Sequence, residues 1–445
     1  MNYLWSKIKL MFKRNFVYIK DLLQIAGPII MGNLGFILIG VGDVIVAGRH
    51  STDTLAAISL ATAITSCIMT FGIGILVSIS PVLSNYRGAG KSPEKYFYPS
   101  LKFATILSII VSILTFAFIP LIDYLGFEDK LVPMIKGYFF VTAFSIFGAY
   151  LHCMAKEFLQ TFEIVVFPNI LTVICIFINV ILNILFVFGF GIIPAMGAIG
   201  LAIASLLTRY FMGIVLLIYC YKKVDIKLHE DKAYYKDLLK VGLPSSLAIL
   251  IEFVAFNSIT VIMGRISGLY AAAQNVVCTI TTISFMVPLA ISNAAAVKVG
   301  FTNGAKKYNS LKKYALTAMG ISVAFMSCSA IVFGTAPGII IKLFTNDEVL
   351  IKISVPIIYT LCFFQIFDGL QVSLAGIFRG LKQTKIVMIS NFIAYWIIAI
   401  PIGYTLAIPL KLNLLGFWYG LIIASVILCS IMSYDLIHKF KKLKD

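Results

Sequence analysis

The sequence predicts an all-α polytopic membrane protein whose twelve transmembrane helices form two pseudo-symmetric six-helix bundles. Mean hydropathy is +0.99, and only 12% of the residues are charged. Apolar runs long enough to cross a hydrocarbon core of about 30 Å recur along the whole chain. Helices fit these runs, because barrel strands would be short and alternating. Motifs that recur at a nearly constant offset divide the helices into two bundles.

Twelve apolar segments account for the predicted spans. They cover residues 22–47, 54–82, 99–124, 135–157, 165–190, 197–222, 240–265, 270–299, 314–340, 351–379, 385–409 and 413–437. Of the 36 Lys and Arg residues, 28 lie in or beside the terminal segments and even-numbered loops, 7 lie in or beside odd-numbered loops, and Arg209 lies inside the sixth span. Positive residues accumulate on the cytoplasmic side of a membrane. We therefore expect a multi-pass protein of the plasma (inner) membrane with both termini in the cytoplasm.

The two halves of the chain share a sequence pattern. Tyr-x-Lys-Asp-Leu-Leu-x4-Pro occurs at positions 18–28 and again at positions 234–244. Later matches keep a similar offset: Gln160-Thr161 matches Gln383-Thr384, and 200–205 matches 420–425. Six spans per repeat is an even number, so both repeats have the same orientation in the membrane. The predicted domains are an N-terminal lobe at 1–222, a charged cytoplasmic linker at 223–239 and a C-terminal lobe at 240–445.

Charge and cysteine distribution exclude several classes of function. The net charge of +17 does not indicate a nucleic-acid partner, because the basic residues lie in short loops between spans. The eight cysteines are scattered singly through apolar spans, which indicates packing rather than a disulfide framework or a metal site. The chain has no HExxH, GxSxG or P-loop motif. We expect a monomeric, non-enzymatic protein that contacts membrane lipid and needs no cofactor.

Three acidic side chains are predicted to lie deep within spans. Asp368 and Glu252 lie in the middle of the tenth and seventh spans, and Asp43 lies near the outer end of the first. An acid at the centre of a membrane helix costs about 2.5–3.5 kcal/mol on insertion, so it normally faces protein or water. We interpret all three as cation-coupling residues, with Glu252 and Asp368 as a candidate Na⁺ site.

Simpler interpretations of the three acids remain open at this point. Glu252 and Asp368 could share a proton, or could be a buried pair that neighbouring polar groups satisfy. Asp43 could be an interfacial cap or an ion-pair partner of Arg49.

Polar amides accompany the three acids. Asn179 and Asn183 lie one turn apart on the fifth span, where they could face Asp43. Three glutamines are candidate supporting residues, and interhelical hydrogen bonding is the simpler explanation for such amides. They are Gln365 and Gln371, which flank Asp368, and Gln274 at the start of the eighth span, where it is expected to line an outer vestibule.

Several motifs together resemble those of the multidrug and toxic compound extrusion (MATE) family. They are Pro28 followed by Gly42-Asp43-x4-Gly48-Arg49 and Leu55-Ala56-Ala57; Gly242-Leu243-Pro244 followed by Glu252; and Asp368-x-x-Gln371-x4-Gly376-x-x-Arg379-Gly380-x-Lys382-Gln383-Thr384. Each motif alone is modest, but they occur together at matching positions along the whole chain.

The resemblance implies two six-helix lobes that form a V, and an exporter of cationic or amphipathic drugs that works by alternating access in exchange for inward Na⁺ or H⁺. The presence of both Glu252 and Asp368 resembles the NorM-type branch. Phe364 stands one turn before Asp368, where some relatives have tyrosine, so a hydroxyl ligand is expected to be missing. Asn183 stands where the DinF-type branch has an acid, which favours an ion site in the C-terminal lobe.

A flippase for lipid-linked oligosaccharides, as in related branches of the superfamily, is the alternative within transport. Such a protein would favour a basic central cavity that binds a diphosphate. Basic residues at or near the membrane interior are few, namely Arg209, Lys156 and Lys298. The sequence therefore favours the drug antiporter.

Overall fold

The computed structural model describes residues 2–227 and 229–443, with side chains from residue 16 onward. Within these ranges the chain is almost entirely helical, and its β pairing is an isolated bridge between Phe190 and Ile193. Twelve helical segments are long and apolar enough to cross a membrane. The predicted fold class and number of spans are therefore confirmed.

The first half of the chain contains the first six spans. Its helices are α1 (Asn2–His50), α2 (Thr52–Leu76), α3 (Ile79–Gly88), α4 (Phe97–Phe118), α5 (Val132–Thr161), α6 (Val166–Phe188) and α7 (Gly197–Lys223). Short 3₁₀ turns, Pro93–Tyr96 and Ile119–Tyr124, flank α4. α2 begins where the Ser51 side chain accepts a hydrogen bond from the Thr54 backbone, which satisfies one of the free amides of its first turn. α2 and α3 together form the second span.

The second half contains the other six spans. Its helices are α8 (Lys232–Ile266), α9 (Gly268–Gly304), α10 (Tyr308–Thr335), α11 (Pro337–Lys342), α12 (Glu348–Gly380), α13 (Lys385–Phe392), α14 (Ile400–Ala407) and α15 (Asn413–Lys442). A π-helical segment, Ile393–Ala399, joins α13 to α14, and the three form the eleventh span. Asp347 caps the start of α12, where its carboxylate accepts hydrogen bonds from the backbone of Val349 and Leu350.

Contacts divide the chain into two compact units. The N-unit contains Pro28–Leu83 and Lys91–Ser246, and the C-unit contains the chain up to Gly27, Ser84–Gly90 and the chain from Leu247 onward. Helices α1 and α8 each contribute to both units. They change unit at Pro28 and two residues after Pro244, where a proline removes a backbone hydrogen bond. The lobe boundaries predicted from the charged linker remain a prediction.

In the N-unit, α5 packs closely against α7. A Cβ atom added at Gly148 would lie 2.9 Å from the Tyr210 backbone nitrogen, and one added at Gly213 would lie 3.1 Å from the Gly148 carbonyl oxygen. Small residues permit such close approach of membrane helices. This close approach sets the distance between α5 and α7, and therefore the distance between the polar side chains that the two helices carry.

In the C-unit, α12 packs against α9 through glycines. A Cβ atom added at Gly376 would lie 2.3 Å from the Ser292 carbonyl oxygen, and one added at Gly380 would lie 2.9 Å from that of Ala296. The Ser292 hydroxyl donates a hydrogen bond of 2.6 Å to the Val372 carbonyl on α12. The backbones of α9 and α12 are therefore in direct contact on the C-terminal side of Asp368.

Gly376→Ala should destabilise the protein, because the added methyl group would clash with rigid backbone rather than with a flexible side chain. Overpacking of this kind costs about 1–3 kcal/mol. The measurement is the unfolding temperature of the purified protein in detergent. Gly320→Ala is the matched control, since that glycine lies exposed within α10 with nothing within 4 Å of the new atom. The control should be neutral or slightly stabilising, and equal losses in both variants would contradict the close contact.

Candidate functional site

Glu252 lies on α8, partly buried, and both of its carboxylate oxygens have partners. The Gln371 amide donates to Oε2 at 3.2 Å, and the Tyr395 hydroxyl lies 3.1 Å from Oε1. Tyr395 also lies 3.2 Å from the Gln371 amide oxygen. Because a hydroxyl has one proton, it donates to only one of these two oxygens at a time. Three helical spans therefore meet at the Glu252 carboxylate.

Asp368 lies on α12 and is 2% exposed. Its Oδ1 atom is buried and accepts no hydrogen bond from any residue that the structure describes. The negative charge of Glu252 acts on this carboxyl group, and the charges of both acids act on Tyr395. A buried carboxylate oxygen without a donor is costly unless the group binds a proton or a cation. The arrangement of Asp368 and Glu252 therefore fits a site for a small cation or a shared proton.

Tyr395 is a site residue that the sequence analysis missed. It is fully buried and lies in the π-helical segment of the eleventh span. Segments of this kind are frequent at functional sites. The hydroxyl expected to be missing at Phe364 is supplied by another helix, but it approaches Glu252 rather than Asp368. A tyrosine in an otherwise apolar span is the one sequence feature that could have drawn attention to Tyr395. This feature does not predict that the hydroxyl contacts Glu252.

Four aromatic rings form a cluster that includes chain neighbours of the two acids. Phe256 lies 6.1 Å from Phe364, 6.0 Å from Tyr395 and 6.4 Å from Trp418, measured between ring centroids. Phe364 and Trp418 are 5.6 Å apart and perpendicular. Phe364 is 1% exposed and Trp418 is fully buried. Phe256 lies one helical turn after Glu252, and Phe364 lies one turn before Asp368, so each ring shares a helix face with one of the acids. A buried apolar cluster of this kind lowers the local dielectric and strengthens electrostatic interactions.

The structure places the three glutamines in different surroundings. Gln371 contacts Glu252, as described above. Gln365 is fully buried on α12, and its amide oxygen accepts a hydrogen bond of 3.3 Å from the Ser329 hydroxyl. Gln274 is also fully buried and accepts a hydrogen bond of 3.0 Å from the Trp418 indole. The expectation that Gln274 lines an outer vestibule is therefore wrong for this structure, because the side chain has no exposed surface.

Asp43 lies in the N-unit within a separate polar cluster. The Asn183 amide donates to Asp43 Oδ1 at 2.6 Å, and the Ser205 hydroxyl lies 3.5 Å from Oδ2. Asn183 also donates to Asn179 at 3.1 Å, and Asn179 lies 3.5 Å from the Thr208 hydroxyl. The structure thus brings Asp43 together with both asparagines. Its hydrogen bonds go to α6 and α7 rather than to Arg49.

A fourth acid is buried that the sequence analysis did not count among the deep ones. Glu157 is 5% exposed. It lies on α5, which continues to Thr161, beyond the predicted end of the fourth span. Among the described residues, no group of three or more His, Cys, Asp or Glu side chains is arranged to hold a metal ion. A cation at the C-unit site would therefore take amide or hydroxyl oxygens in addition to its two carboxylates.

A sequence model of the MatE family matches residues 28–185 and 244–405. The chain belongs to the MatE family. One matched segment falls in each half of the chain, in agreement with the internal repeat. Membership confirms the resemblance given by the motifs around Asp43, Glu252 and Asp368, and it confirms that the chain is a transporter rather than an enzyme.

Individual relatives match this MatE chain over nearly its whole length. A probable multidrug resistance protein NorM from Photorhabdus laumondii is 26% identical over 425 residues, which cover 92% of this chain and 93% of that protein. One of the same name from Bacillus subtilis is 26% identical over 415 residues, which cover 91% and 92%. The crystal structure of the eukaryotic MATE transporter AtDTX14 is similar with a TM-score of 0.86 at 20% identity, covering 95% of this chain and 96% of that one. The last comparison shows a shared fold.

Tyr395→Phe tests the contact between the eleventh span and Glu252. The variant removes the hydroxyl and keeps the ring, so it should lose about 0.5–1.5 kcal/mol of stability. In a double-mutant cycle with Glu252→Gln, the two losses should be non-additive, because each substitution alters the same contact. The measurement is thermal unfolding of the four proteins in detergent.

Tyr404→Phe, on the same span and 49% exposed, is the control for this cycle. Its effect should simply add to that of Glu252→Gln. Additivity of Tyr395→Phe with Glu252→Gln would show that the hydroxyl and the carboxylate do not interact.

Proposed function

We propose that the chain is a secondary active multidrug antiporter of the plasma (inner) membrane, which exports cationic or amphipathic compounds by alternating access in exchange for inward Na⁺ or H⁺. The observation that carries the proposal is the buried Asp368 carboxyl group, whose Oδ1 atom accepts no hydrogen bond from the described residues and which lies within electrostatic reach of Glu252. Two acids enclosed together in an apolar span region are expensive unless a positive charge joins them. The coupling cation supplies that charge.

The donor set of the C-unit site suits a small hard cation. Carboxylate oxygens of Asp368 and Glu252 would bind it, with the Gln371 amide oxygen and the Tyr395 hydroxyl as further oxygen donors. Oxygen donors of this type are those that hard cations prefer. The same groups could hold a proton shared between the two carboxylates, so the donor set supports either Na⁺ or H⁺ as the coupling ion.

Several features support a drug-like substrate. The relatives from Photorhabdus laumondii and Bacillus subtilis are named as multidrug resistance proteins. Acids supply charge complementarity to an organic cation, and aromatic rings such as Phe256 can add cation–π attraction. A diphosphate-linked lipid would need basic groups, whereas no basic side chain is among the charges that act on Glu252 or Asp368 in the described structure. The site therefore favours drug antiport over lipid flipping.

The proposed ion exchange supplies enough free energy for export. One monovalent cation that moves inward through 100 mV releases about 2.3 kcal/mol. For an uncharged substrate this corresponds to a gradient of roughly fifty-fold, since about 1.4 kcal/mol is a factor of ten. A monovalent cationic substrate carries the same charge outward, so its export needs the concentration gradient of the coupling cation or the exchange of more than one cation. A concentration gradient of the cation adds to this value.

Transport by the purified protein in proteoliposomes tests the proposal. An ethidium-like dye should be driven by an imposed Na⁺ gradient or by an imposed pH gradient, with each gradient applied separately in otherwise symmetrical buffer. Dye accumulation is followed by fluorescence. The gradient that supports accumulation identifies the coupling ion, and accumulation under neither gradient would reject cation-coupled export.

Asp368→Asn and Glu252→Gln should each abolish gradient-driven dye transport, because each removes one of the two charges that hold the cation. Both variants should still fold, since the amide replacements are isosteric. Size-exclusion elution and unfolding temperature check the folding. Asp129→Asn, in an exposed loop, is the matched control and should transport normally. Undiminished coupled transport in both site variants would remove these acids from the mechanism.

A further inference from the structure

A groove opens in the N-unit beside the start of α4. Its volume is about 750 Å³, and its lining comes from the first turns of α4, from residues 229–230 and from the first turn of α8. A volume of this size suits a ligand as large as a drug or part of a lipid. The proposed antiport function does not use this groove.

The apolar end of the groove continues along α4. Ile106 lines the groove. It begins a row of isoleucines on one side of the helix, each at least half exposed, namely Ile106, Ile109, Ile110 and Ile113. Apolar side chains exposed on a membrane span contact acyl chains, which are as apolar as they are. The groove therefore opens toward the acyl-chain region of the membrane.

The polar end of the groove has the residue types of a membrane–water interface. Tyr98 and Tyr235 line it, and both are partly buried. Lys102 also lines it, with an exposed side chain. Tyrosines concentrate at the level of the lipid headgroups, and a lysine near the end of a span extends its ammonium group to that level. The groove therefore runs from the headgroups toward the acyl chains, as a phospholipid does.

An exposed ion pair forms the rim of the groove. Lys102 Nζ donates to Glu230 Oε1 at 2.6 Å, and both residues line the groove. Lys102 lies inside the third span, Pro93–Tyr124, whereas Glu230 lies just before the seventh, Lys232–Ile266. The positive group therefore reaches the rim from the membrane side and the negative group from the water side.

Contacts with the N-unit fix the segment that carries Glu230. The Tyr96 hydroxyl donates to Asp231 Oδ2 at 3.3 Å, and the rings of Tyr96 and His229 lie 5.7 Å apart in an edge-to-face arrangement. Asp231 Oδ1 also accepts a hydrogen bond of 2.8 Å from the Ala233 backbone. Because the neighbours on both sides are held, Glu230 stays at the rim. An exposed ion pair contributes little stability by itself, so stability alone does not account for this arrangement.

The wall of the groove includes a hydroxyl group that lacks a partner. Tyr235 stacks on Phe103 at 6.4 Å between ring centroids. Its hydroxyl oxygen is buried and forms no hydrogen bond with any residue that the structure describes. A buried hydroxyl without a partner is costly. A phosphate or ester oxygen of a ligand in the groove would accept its proton.

We propose that this groove binds a membrane phospholipid whose headgroup carries a phosphate and a primary ammonium group, as phosphatidylethanolamine does. The phosphate accepts hydrogen bonds from Lys102 and Tyr235, the ammonium group donates to Glu230, and one acyl chain lies along the isoleucines of α4. In such a lipid the phosphate is closer to the acyl chains than the ammonium group is, which matches the membrane-side Lys102 and the water-side Glu230.

The same rim selects against other headgroups. A headgroup with a net negative charge brings a second negative charge to Glu230, and the rim, which Lys102 and Glu230 leave neutral overall, offers nothing to offset it. A quaternary ammonium group has no proton to donate, so it forms no charge-assisted hydrogen bond with the carboxylate. The bound lipid connects α4 to the start of α8 within the N-unit, and this role is independent of the antiport function.

Lipid-dependent unfolding of the purified protein tests the site. The probes are dioleoyl phosphatidylethanolamine, phosphatidylcholine and phosphatidylglycerol, each titrated into the protein in detergent micelles, so that bilayer curvature does not contribute. The measurement is the unfolding temperature. Phosphatidylethanolamine should raise it at a several-fold lower concentration than the other two lipids. Equal effects of the three lipids would overturn the proposal.

Glu230→Gln removes the acceptor of the ammonium group and keeps the size of the side chain. It should fold normally without lipid, because the side chain is exposed, and it should lose the preference for phosphatidylethanolamine over phosphatidylcholine. Glu230→Lys should move the preference to phosphatidylglycerol, because the rim then carries two positive charges. Asp123→Asn is the matched control, since Asp123 pairs with Lys136 at 2.7 Å beyond the other end of α4. A preference that survives in Glu230→Gln, or is lost equally in Asp123→Asn, would contradict the site.

Tyr235→Phe separates lipid binding from a structural role of the hydroxyl. Without lipid, its unfolding temperature should not fall below that of wild type, because the hydroxyl has no partner among the described residues. With phosphatidylethanolamine, it should need a several-fold higher lipid concentration for the same stabilisation. A lower unfolding temperature without lipid, combined with an unchanged lipid response, would remove Tyr235 from the lipid site.

Discussion

The constraint on which this structure depends is the cost of an ionised carboxylate inside a membrane. Asp368 is buried on α12, and the charge of Glu252, partly buried on α8, acts on it. Gln371 and Tyr395 satisfy Glu252, but no described donor satisfies the buried Oδ1 of Asp368. The interior therefore holds more negative charge than it neutralises by itself. On the proposed function, this imbalance is what favours binding of a positive charge, which cation coupling requires.

The two repeats meet the same cost in different ways. In the N-unit, Asp43 accepts a hydrogen bond from the neutral amide of Asn183, and the charge of Arg209 acts on it. In the C-unit, the charge that acts on Asp368 is that of a second acid, Glu252. Duplication supplies two similar helical scaffolds, and the side chains that differ between them give each scaffold its own charge environment. The acids of the two units therefore differ in the charges that act on them.

The sequence predicts the fold far better than it predicts the site. Hydropathy and loop charge identify twelve spans, because a spanning helix must be long and apolar whatever its neighbours are. The acids are also visible, since a charge in an apolar run is conspicuous. The hydrogen-bond partners of these side chains cannot be identified from the sequence in the same way. Tyr395 reaches Glu252 across 143 residues of chain, and Trp418 covers Gln274 across 144. Such contacts depend on how spans pack, and no periodicity within one helix encodes them.

Helix α8 connects the site to both units. It leaves the N-unit at Ser246 and enters the C-unit at Leu247, so Glu252 lies within two turns of this passage. On the proposed function, a cation between Glu252 and Asp368 replaces repulsion between α8 and α12 with attraction. The free energy of ion binding then acts directly on a helix that belongs to both units. Since a ligand shifts a conformational equilibrium only through its differential affinity for the two states, an acid on a shared helix is placed where ion binding can have that effect.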